Sequence, residues 1–83
     1  MYYVYVLQSQ VDKRLYVGKT NNLKIRFSQH NNGHVKSTKP FQPWILVYYE
    51  AYRNPSDISK REKQLKLHAA KEALKIQIKS SMI

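Results

Sequence analysis

The first twenty residues alternate in a way that is typical of two paired β-strands. Both sides of the two-residue repeat over residues 1–8 are apolar or aromatic, one with Tyr3, Tyr5 and Leu7, the other with Tyr2, Val4 and Val6. A strand of this kind is predicted to be covered on both faces. A second run, residues 14–19, contains Leu15, Tyr16 and Val17 and ends near Gly18. The polar residues 9–13 between the runs predict a turn, and so a hairpin.

A short helix is predicted to follow over residues 23–30. Thr20, Asn21 and Asn22 supply capping side chains before it, and the Asn-Asn-Gly run at residues 31–33 is typical of a helix end. Leu23 and Phe27 lie four residues apart and are predicted to face the core. Residues 33–43 are polar and basic, with prolines near their end, and are predicted to form a mobile surface loop.

The second half of the chain predicts one more strand and then helix. The strand runs from Trp44 to Ala51, and a helical stretch from about Ile58 to Lys79 follows, capped by Ser56 or Asp57. Its apolar positions change face near residue 68, from a stripe of Ile58, Leu65, Ala69, Ala73 and Ile76 to one of Leu67, Ala70, Leu74 and Ile78. This change predicts two helices, or one helix that contacts two surfaces. The tail from residue 80 is predicted to fray.

The element order β-β-α-β-α(α) predicts an α+β fold, in which helices flank a three-stranded antiparallel sheet. We expect residues 1–83 to form one domain with its core in residues 2–76. A chain this small buries about 60–65% of the surface that its unfolded form exposes. Because it has no Cys, neither a disulfide nor a thiolate metal site can stabilise it.

The charge balance points to a polyanionic partner. Fifteen Lys and Arg residues face five Asp and Glu residues, which gives a formal net charge of +10. Such a balance is typical of proteins that bind nucleic acid, and the alternative is a surface charge that serves solubility alone. Because the sequence starts in a strand pattern, we expect no secretory leader, and it has no apolar stretch of the roughly 18–20 residues that a membrane span needs. We therefore expect a soluble, cytoplasmic protein without a membrane partner.

Glu62 is the sharpest candidate for chemistry. Of the five acidic residues, it is the one on a predicted apolar helix face, within the stripe of Ile58 and Leu65. An inward carboxylate is costly unless it is paired or bound to a metal, and a site for a hard cation needs at least one such oxygen. The alternatives are an ion pair with a nearby Lys or Arg, or a position too close to the helix edge to be buried.

Four further side chains are weaker candidates. Arg26 and His30 lie four residues apart on the first helix, where an Arg fork suits phosphate oxygens and a His can shuttle a proton. Their alternatives are a solvated basic face and a histidine at the core edge. The hairpin places Tyr5 and Tyr16 side by side, but a phenol titrates near pH 10. A nearby Lys19 or Arg26, or a metal-bound water, would lower that pKa or let the phenol act in a relay. Ordinary core packing is the alternative for both tyrosines.

Other site classes lack their motifs. No glycine-rich phosphate loop, no Cys/His zinc spacing and no signature of a Ser nucleophile is present in the sequence. The chain does carry, in order, Tyr3-Val4-Tyr5 and Tyr16-Val17-Gly18, followed by the runs at residues 16–26, 29–33, 46–50 and 61–66.

Together these segments resemble the GIY-YIG nuclease domain, in particular its small single-domain bacterial branch, over residues 2–76. Two positions depart from the family pattern. Tyr3 stands where Gly is usual, and residues 71–75 lack an Asn that many members carry after the glutamate.

The resemblance implies hydrolysis of phosphodiester bonds with one divalent ion, Mg²⁺ or Mn²⁺. We expect the substrate to be DNA, in repair or on mobile DNA, with RNA as a lesser alternative that the sequence does not separate from it. The resemblance also implies that Glu62 is the metal ligand and that Arg26 stabilises charge on the scissile phosphate. Tyr5 or Tyr16 would help to deprotonate the attacking water, with His30 in support.

Phosphate contacts are implied for Gly18 and Lys19, and contacts along the nucleic-acid backbone for the cationic positions Lys36, Lys39, Lys60 and Lys63. Trp44 and the tyrosines are the side chains that could stack on bases. A protein partner that supplies specificity is compatible with so small a domain. The rival hypothesis is a non-catalytic module that binds DNA or RNA and retains the nuclease fold.

Overall fold

The computed structural model describes residues 1–82, and its strands form one antiparallel sheet. The strands are β1 (Tyr2–Ser9), β2 (Leu15–Thr20) and β3 (Trp44–Tyr52), in the spatial order β2-β1-β3. The helices are α1 (Leu23–Asn31), α2 (Pro55–Leu65) and α3 (His68–Gln77), with 3₁₀ turns at Lys39–Phe41 and Lys79–Ser81. The predicted α+β fold and element order are confirmed.

The central position of β1 explains why both of its sides are apolar. Residues 4–7 are each at most 1% exposed. Val4 and Val6 face a core that contains Ile58, Leu65 and Leu74 of the C-terminal helices. Tyr5 and Leu7 face the opposite core, with Trp44 and the partly buried Leu23 and Phe27. The predicted two-sided burial of the first strand is therefore confirmed.

Helix α1 begins and ends as its sequence predicts. The side chain of Asn22 accepts a hydrogen bond from the Ile25 N–H at 3.1 Å, which satisfies one of the free donors of the first turn. Gly33 follows the helix with a φ of +73°, a backbone conformation that glycine adopts without strain.

The segment after α1 is packed against the protein, so the prediction of a mobile surface loop is wrong at its centre. Thr38 is 1% exposed, and its backbone carbonyl accepts a hydrogen bond from the Trp44 indole N–H at 2.9 Å. The side chain of Asn31 bonds to both backbone groups of Trp44, at 2.6 and 2.9 Å. Since Trp44 is itself only 2% exposed, the expectation that its ring could stack on a base is also wrong.

The C-terminal helices differ from the prediction at their start. Helix α2 begins at Pro55, and its cap is Asn54 rather than Ser56 or Asp57. The Asn54 side chain accepts from the Ser56 N–H at 2.9 Å. Pro55 suits the first helical position, where no backbone donor is needed.

A break at residues 66–67 separates α2 from α3, which selects the two-helix alternative. The break turns the first predicted stripe outward beyond Leu65, so Ala69 and Ala73 are exposed and Ile76 is 79% exposed. Leu74 and Ile78 of the second stripe are buried as expected.

Residues 80–82, expected to fray, include the end of the second 3₁₀ turn and Met82, which packs against the core. Ile83 lies outside the described residues. None of the helices in residues 1–82 is long and apolar enough to cross a membrane.

Candidate active site

A buried tyrosine–histidine pair lies at the centre of the α1 side of the sheet. Tyr5 projects from β1 and is 1% exposed, and His30 projects from the last turn of α1 and is fully buried. The Tyr5 Oη and His30 Nε2 atoms are 2.8 Å apart. His30 therefore has features of both hypotheses. It is a buried core residue, and it also directly contacts a candidate catalytic tyrosine.

The hydrogen bonds beyond His30 favour one tautomer of its ring. Its Nδ1 lies 2.8 Å from the Thr38 Oγ1, and that hydroxyl donates to the Val35 carbonyl at 3.3 Å. Because the Thr38 proton is used there, its oxygen accepts from the Nδ1–H of His30. Nε2 is then the acceptor, so the Tyr5 hydroxyl donates to it. The chain Tyr5–His30–Thr38 thus runs in one direction.

Burial keeps this pair neutral. It raises the pKa of Tyr5 to about 12, although the neighbouring Arg26 guanidinium works in the opposite direction. Burial and then the positive charge of Arg26 lower the pKa of His30 to about 4. The expected lowering of the Tyr5 pKa by a nearby cation is present, since Arg26 acts in that direction, but desolvation of the phenolate is the larger effect and the net pKa is raised.

Gly18 is needed where the two strands of the hairpin meet. It lies opposite Tyr5 in the register, and a Cβ at this position would lie 3.0 Å from Cε1 of the tyrosine ring and closer still to Cζ. Only a residue without a side chain lets the Tyr5 ring cross the neighbouring strand here.

Tyr16 stands beside the buried pair and is the more accessible of the two tyrosines. Its ring centroid lies 6.4 Å from that of Tyr5 and 5.0 Å from that of His30. Tyr16 is partly exposed, and no group within residues 1–82 is hydrogen-bonded to its hydroxyl. Its hydroxyl is thus available to a water molecule or phosphate, whereas that of Tyr5 is not.

Glu62 faces the edge of the sheet at β2, as its helix position predicts. Its side chain is 16% exposed and lies 3.9 Å from the Lys19 Nζ and 3.6 Å from the Lys66 Nζ. Lys19 also donates to the Ser59 hydroxyl at 3.2 Å. The ion-pair alternative for Glu62 is thus present in the structure. In both pairs, however, the N–O distance is long and the lysine is exposed to solvent, which is typical of weak pairs.

Arg26 and Glu62 approach the tyrosines from different helices. Both charges act on the pKa of Tyr5, that of Arg26 lowering it and that of Glu62 raising it. Lys19 is a close neighbour of Glu62, with its Nζ 3.9 Å from the carboxylate. An open cleft of about 540 Å³ adjoins this point and is lined by Lys19, Thr20, Arg26 and Gln29, among others. The guanidinium of Arg26 bonds to the Gln29 side chain at 3.0 Å.

A divalent ion would have one carboxylate here. No cluster of three or more His, Cys, Asp or Glu side chains suited to a metal occurs in the described part of the chain. Mg²⁺, however, commonly binds one or two carboxylates and completes its octahedron with water and substrate phosphate. The half-buried, loosely paired Glu62 fits that pattern, and it would hold the ion.

The four lysines expected to contact nucleic acid are all exposed and lie in two groups. Lys36 and Lys39 belong to the segment after α1, and Lys60 and Lys63 to α2. None of the four is in an ion pair within residues 1–82. Their charges are thus available to a polyanion.

Three residues have contacts that the sequence did not predict, two of them at the site and one outside it. Thr38 orients His30 from within a polar loop, and Asn31 joins the end of α1 to β3. Glu50, on the other face of the sheet, accepts two hydrogen bonds from Arg61, at 2.8 and 2.9 Å. A His followed eight residues later by a Thr is too common to predict a contact, and only the path of the loop brings the two together.

The sequence profile of the GIY-YIG catalytic domain matches residues 1–75 of this chain. The chain belongs to the GIY-YIG family, a nuclease-like family.

Its relatives include small bacterial proteins of similar length. A UPF0213 protein of Clostridium perfringens is 43% identical over 67 residues, which is 80% of this chain and 71% of the relative. One from Staphylococcus haemolyticus is 36% identical over 76 residues, 90% of this chain and 92% of the relative. The solution NMR structure of a UPF0213 protein from Bacillus halodurans is similar with a TM-score of 0.57 at 29% identity, over 89% of this chain and 82% of that one.

Proposed function

We propose that this protein is a metal-dependent endonuclease that hydrolyses phosphodiester bonds in DNA. The observation that carries the proposal is that Lys19, near the end of β2, lies 3.9 Å from Glu62 of α2 and lines one cleft with Arg26 of α1, on the strand that pairs with the Tyr5 strand. A cation held by the carboxylate and a guanidinium would then flank one phosphate. A net charge of +10 favours a polyanionic substrate.

We assign a role to each side chain from how far it is exposed to solvent. Arg26 lines the cleft, and its planar fork would stabilise the charge that develops on the scissile phosphate. Tyr16 has the accessible hydroxyl and would contact the attacking water. Tyr5 and His30 are buried and would act as positioning residues, with Tyr5 donating to His30 and its ring held over Gly18.

Glu62 would hold one Mg²⁺ or Mn²⁺ ion, and Lys19 would contact phosphate beside it. Bound there, the ion would supply charge neutralisation on the phosphate and a more acidic water. The lysines of α2 and of the segment after α1 would follow the nucleic-acid backbone. We propose a cytoplasmic protein, with a protein partner as a further source of specificity.

The test is a cleavage assay on end-labelled single-stranded, duplex, nicked and flapped DNA with Mg²⁺, Mn²⁺ or EDTA. Wild-type protein is compared with Glu62→Gln, and Glu72→Gln serves as the charge-matched control because Glu72 is an exposed residue of α3. We expect metal-dependent cutting that falls at least about 100-fold in Glu62→Gln. DNA affinity should stay equal or rise, since a negative charge has gone.

Two results would contradict the proposal. One is cleavage that survives both EDTA and the Glu62→Gln change, which would point to a contaminating nuclease or another site. The other is salt-sensitive DNA binding by wild-type protein without cutting of any substrate.

One observation favours a second candidate, a non-catalytic nucleic-acid-binding module. Glu62 is accompanied by two lysines, and it belongs to no group of three or more His, Cys, Asp or Glu side chains suited to a metal within residues 1–82. An Arg26→Ala change separates the candidates. A loss of about 100-fold or more in cleavage with a small loss of affinity indicates catalysis. An equal, small loss in both measurements indicates that Arg26 only follows phosphate.

A further inference from the structure

A second cleft, here called the tyrosine cleft, opens between α1 and the sheet. Its volume is about 560 Å³, and its lining includes Tyr3 and Tyr49, the half-buried Phe27 and Leu46, and the exposed Asn21 and Lys24. A space of this size with an aromatic wall and a few polar groups is typical of a small-ligand subsite. None of the candidate catalytic residues lines it.

The two tyrosines form a preorganised aromatic surface. Their ring centroids are 6.0 Å apart at an interplanar angle of 66°, so one ring meets the other edge to face. Tyr49 is nevertheless 52% exposed, although it lies in the middle of β3. The contact with Tyr3 supports this ring while leaving much of its surface open to a ligand.

The tyrosine cleft lies beside the candidate active site. Tyr49 pairs directly with Tyr5 across the strands, and Tyr3 lies two residues from Tyr5 on the same face of β1, a step of about 7 Å. Asn21 and Asn22 line both this cleft and the one that contains Lys19 and Arg26. A nucleotide next to one held at Arg26 would therefore fall within reach of the tyrosines.

The charge around the tyrosine cleft identifies the class of ligand. Lys24 contributes a cation here and Lys19 and Arg26 contribute two in the adjoining cleft, while no acidic residue among the described ones lines either space. The Asn22 side-chain oxygen is used by the helix cap, which leaves its N–H₂ group as a donor. An aromatic face flanked by cations and amide donors complements a base attached to a phosphate backbone.

We infer that the tyrosine cleft binds an unpaired base of a DNA strand, stacked on Tyr49, next to the phosphate at Arg26. The inference rests on the proposed function and specifies its substrate as DNA with a single-stranded segment. It also gives a use to Tyr3, at the position where the family usually has Gly, since the Tyr3 ring is what supports Tyr49. Duplex DNA keeps its bases in the stack and would gain nothing from this surface.

The test measures the affinity of Tyr49→Ala for DNA oligonucleotides of one sequence, single-stranded and duplex, in EDTA. The single strands carry 2-aminopurine, whose fluorescence falls when it stacks on an aromatic ring. We expect the Kd for single strands to rise about 10-fold, with loss of the quenching, and the Kd for duplex to change by less than about 2-fold. Tyr49→Phe should behave as wild type because it keeps the ring.

Two further variants guard against an indirect effect. Ile76→Ala removes an exposed apolar side chain on α3 and should leave both affinities unchanged. Tyr3→Leu keeps an apolar group but removes the edge-to-face contact, so it should weaken single-strand binding in the same direction as Tyr49→Ala. An equal loss for single strands and duplex in Tyr49→Ala, or no loss for either, would overturn the inference. Tighter, Tyr49-dependent binding of single-stranded RNA would overturn the assignment to DNA.

The two proposals can fail separately. If wild-type protein cuts no substrate but binds single strands through Tyr49, the subsite stands and the nuclease proposal fails. If cleavage depends on Glu62 but Tyr49→Ala binds single strands as wild type does, the nuclease stands and the subsite fails.

Discussion

On the α1 face of the sheet, Tyr5, His30 and Thr38 are joined by hydrogen bonds between neutral groups. On the α2 face, Glu50 and Arg61 form a two-point ion pair, with hydrogen bonds to the same carboxylate from Tyr48 and from Tyr52 at 2.6 Å. Both groups are inside or at the border of a thin core. They differ in which protonation state the surroundings favour.

The pKa values express this difference. Burial alone would raise the pKa of Glu50, but the hydrogen bonds from Arg61, Tyr48 and Tyr52 outweigh it and lower the pKa to about 2. At Tyr5 burial is only partly offset by Arg26, and at His30 Arg26 adds to its effect, so the ionised forms of both are disfavoured. The α2 face uses its charges for stability, whereas the α1 face keeps a directed chain of protons beside the cleft. A carboxylate with every lone pair occupied is a poor candidate for catalysis, which is why Glu62 rather than Glu50 is the proposed metal ligand.

The largest loss in the free energy of unfolding is expected from a substitution on the α2 face of the sheet. Glu50→Ala leaves the Arg61 guanidinium and two tyrosine hydroxyls without their acceptor, and we expect a loss of about 4 kcal/mol in the free energy of unfolding. Urea denaturation measures it. The double change Glu50→Leu with Arg61→Met should recover much of the loss, because an apolar pair can replace an ion pair of similar volume. A loss below about 1 kcal/mol in Glu50→Ala would show that the network is weak.

The second expectation concerns pH and comes from the α1 face. His30 titrates near 6.5 when unfolded and near 4 when folded, so between these values the unfolded state binds more protons and stability rises with pH. Acidification from pH 7 to pH 4 should therefore cost up to about 3 kcal/mol. Glu50 acts in a separate window, since its contribution is present above pH 4.5 and is lost as the pH falls toward 2.

Thermal melts across this range distinguish the two windows, and NMR titration of the His30 ring measures its pKa directly. His30→Gln should flatten the fall in Tm between pH 6.5 and pH 4 and leave the fall below pH 4 in place. A His30 pKa near 6.5 in the folded protein would contradict the expectation.

A smaller loss of stability is expected from a substitution that tests how closely the Tyr5 ring packs on the neighbouring strand. Gly18→Ala forces the Tyr5 ring to move, with an expected cost of about 2 kcal/mol and a loss of cleavage. Gly33→Asn is the matched control, because Gly33 needs only its positive φ, which Asn tolerates, and its nearest neighbour would be 3.6 Å away. Equal costs at the two glycines would show that the Tyr5 ring has room to adjust.

The alternation of the first strand was enough to predict both of its buried faces, because a strand between two neighbours must be apolar on each side. The hairpin and the proximity of Tyr5 and Tyr16 were also predicted, whereas the register that sets Gly18 opposite Tyr5 came only from the structure. The helix break at residues 66–67 is different. Neither Gly nor Pro marks it. Only the change of apolar face near residue 68 indicated that one straight helix facing a single surface could not bury both apolar stripes.

The candidate site was less predictable than the fold. Glu62 could be found because a charge on an apolar stripe is visible in a helical repeat. Thr38 and Glu50 could not, since their partners lie eight and eleven residues away in other elements. Their roles depend on how loops and helices pack, and no local pattern records that.

The smallest effect separates a positioning role of Tyr5 from a purely structural one. Tyr5→Phe keeps the ring but removes the donor to His30 Nε2, and leaving that buried acceptor unpaired should cost about 1 kcal/mol. Tyr52→Phe is the counterpart on the α2 face and should cost less, because Glu50 keeps its bonds from Arg61 and Tyr48. The ¹⁵N chemical shifts of the His30 ring supply a second measurement, which does not depend on the stability of the fold. In wild-type protein they should show a protonated Nδ1 and an unprotonated Nε2, and in Tyr5→Phe the Nε2 signal should shift for want of its donor. A wild-type ring protonated at Nε2 would reverse the direction of the chain: Thr38 would donate to Nδ1 and His30 to the Tyr5 oxygen, which would leave the Tyr5 O–H free to donate to another acceptor.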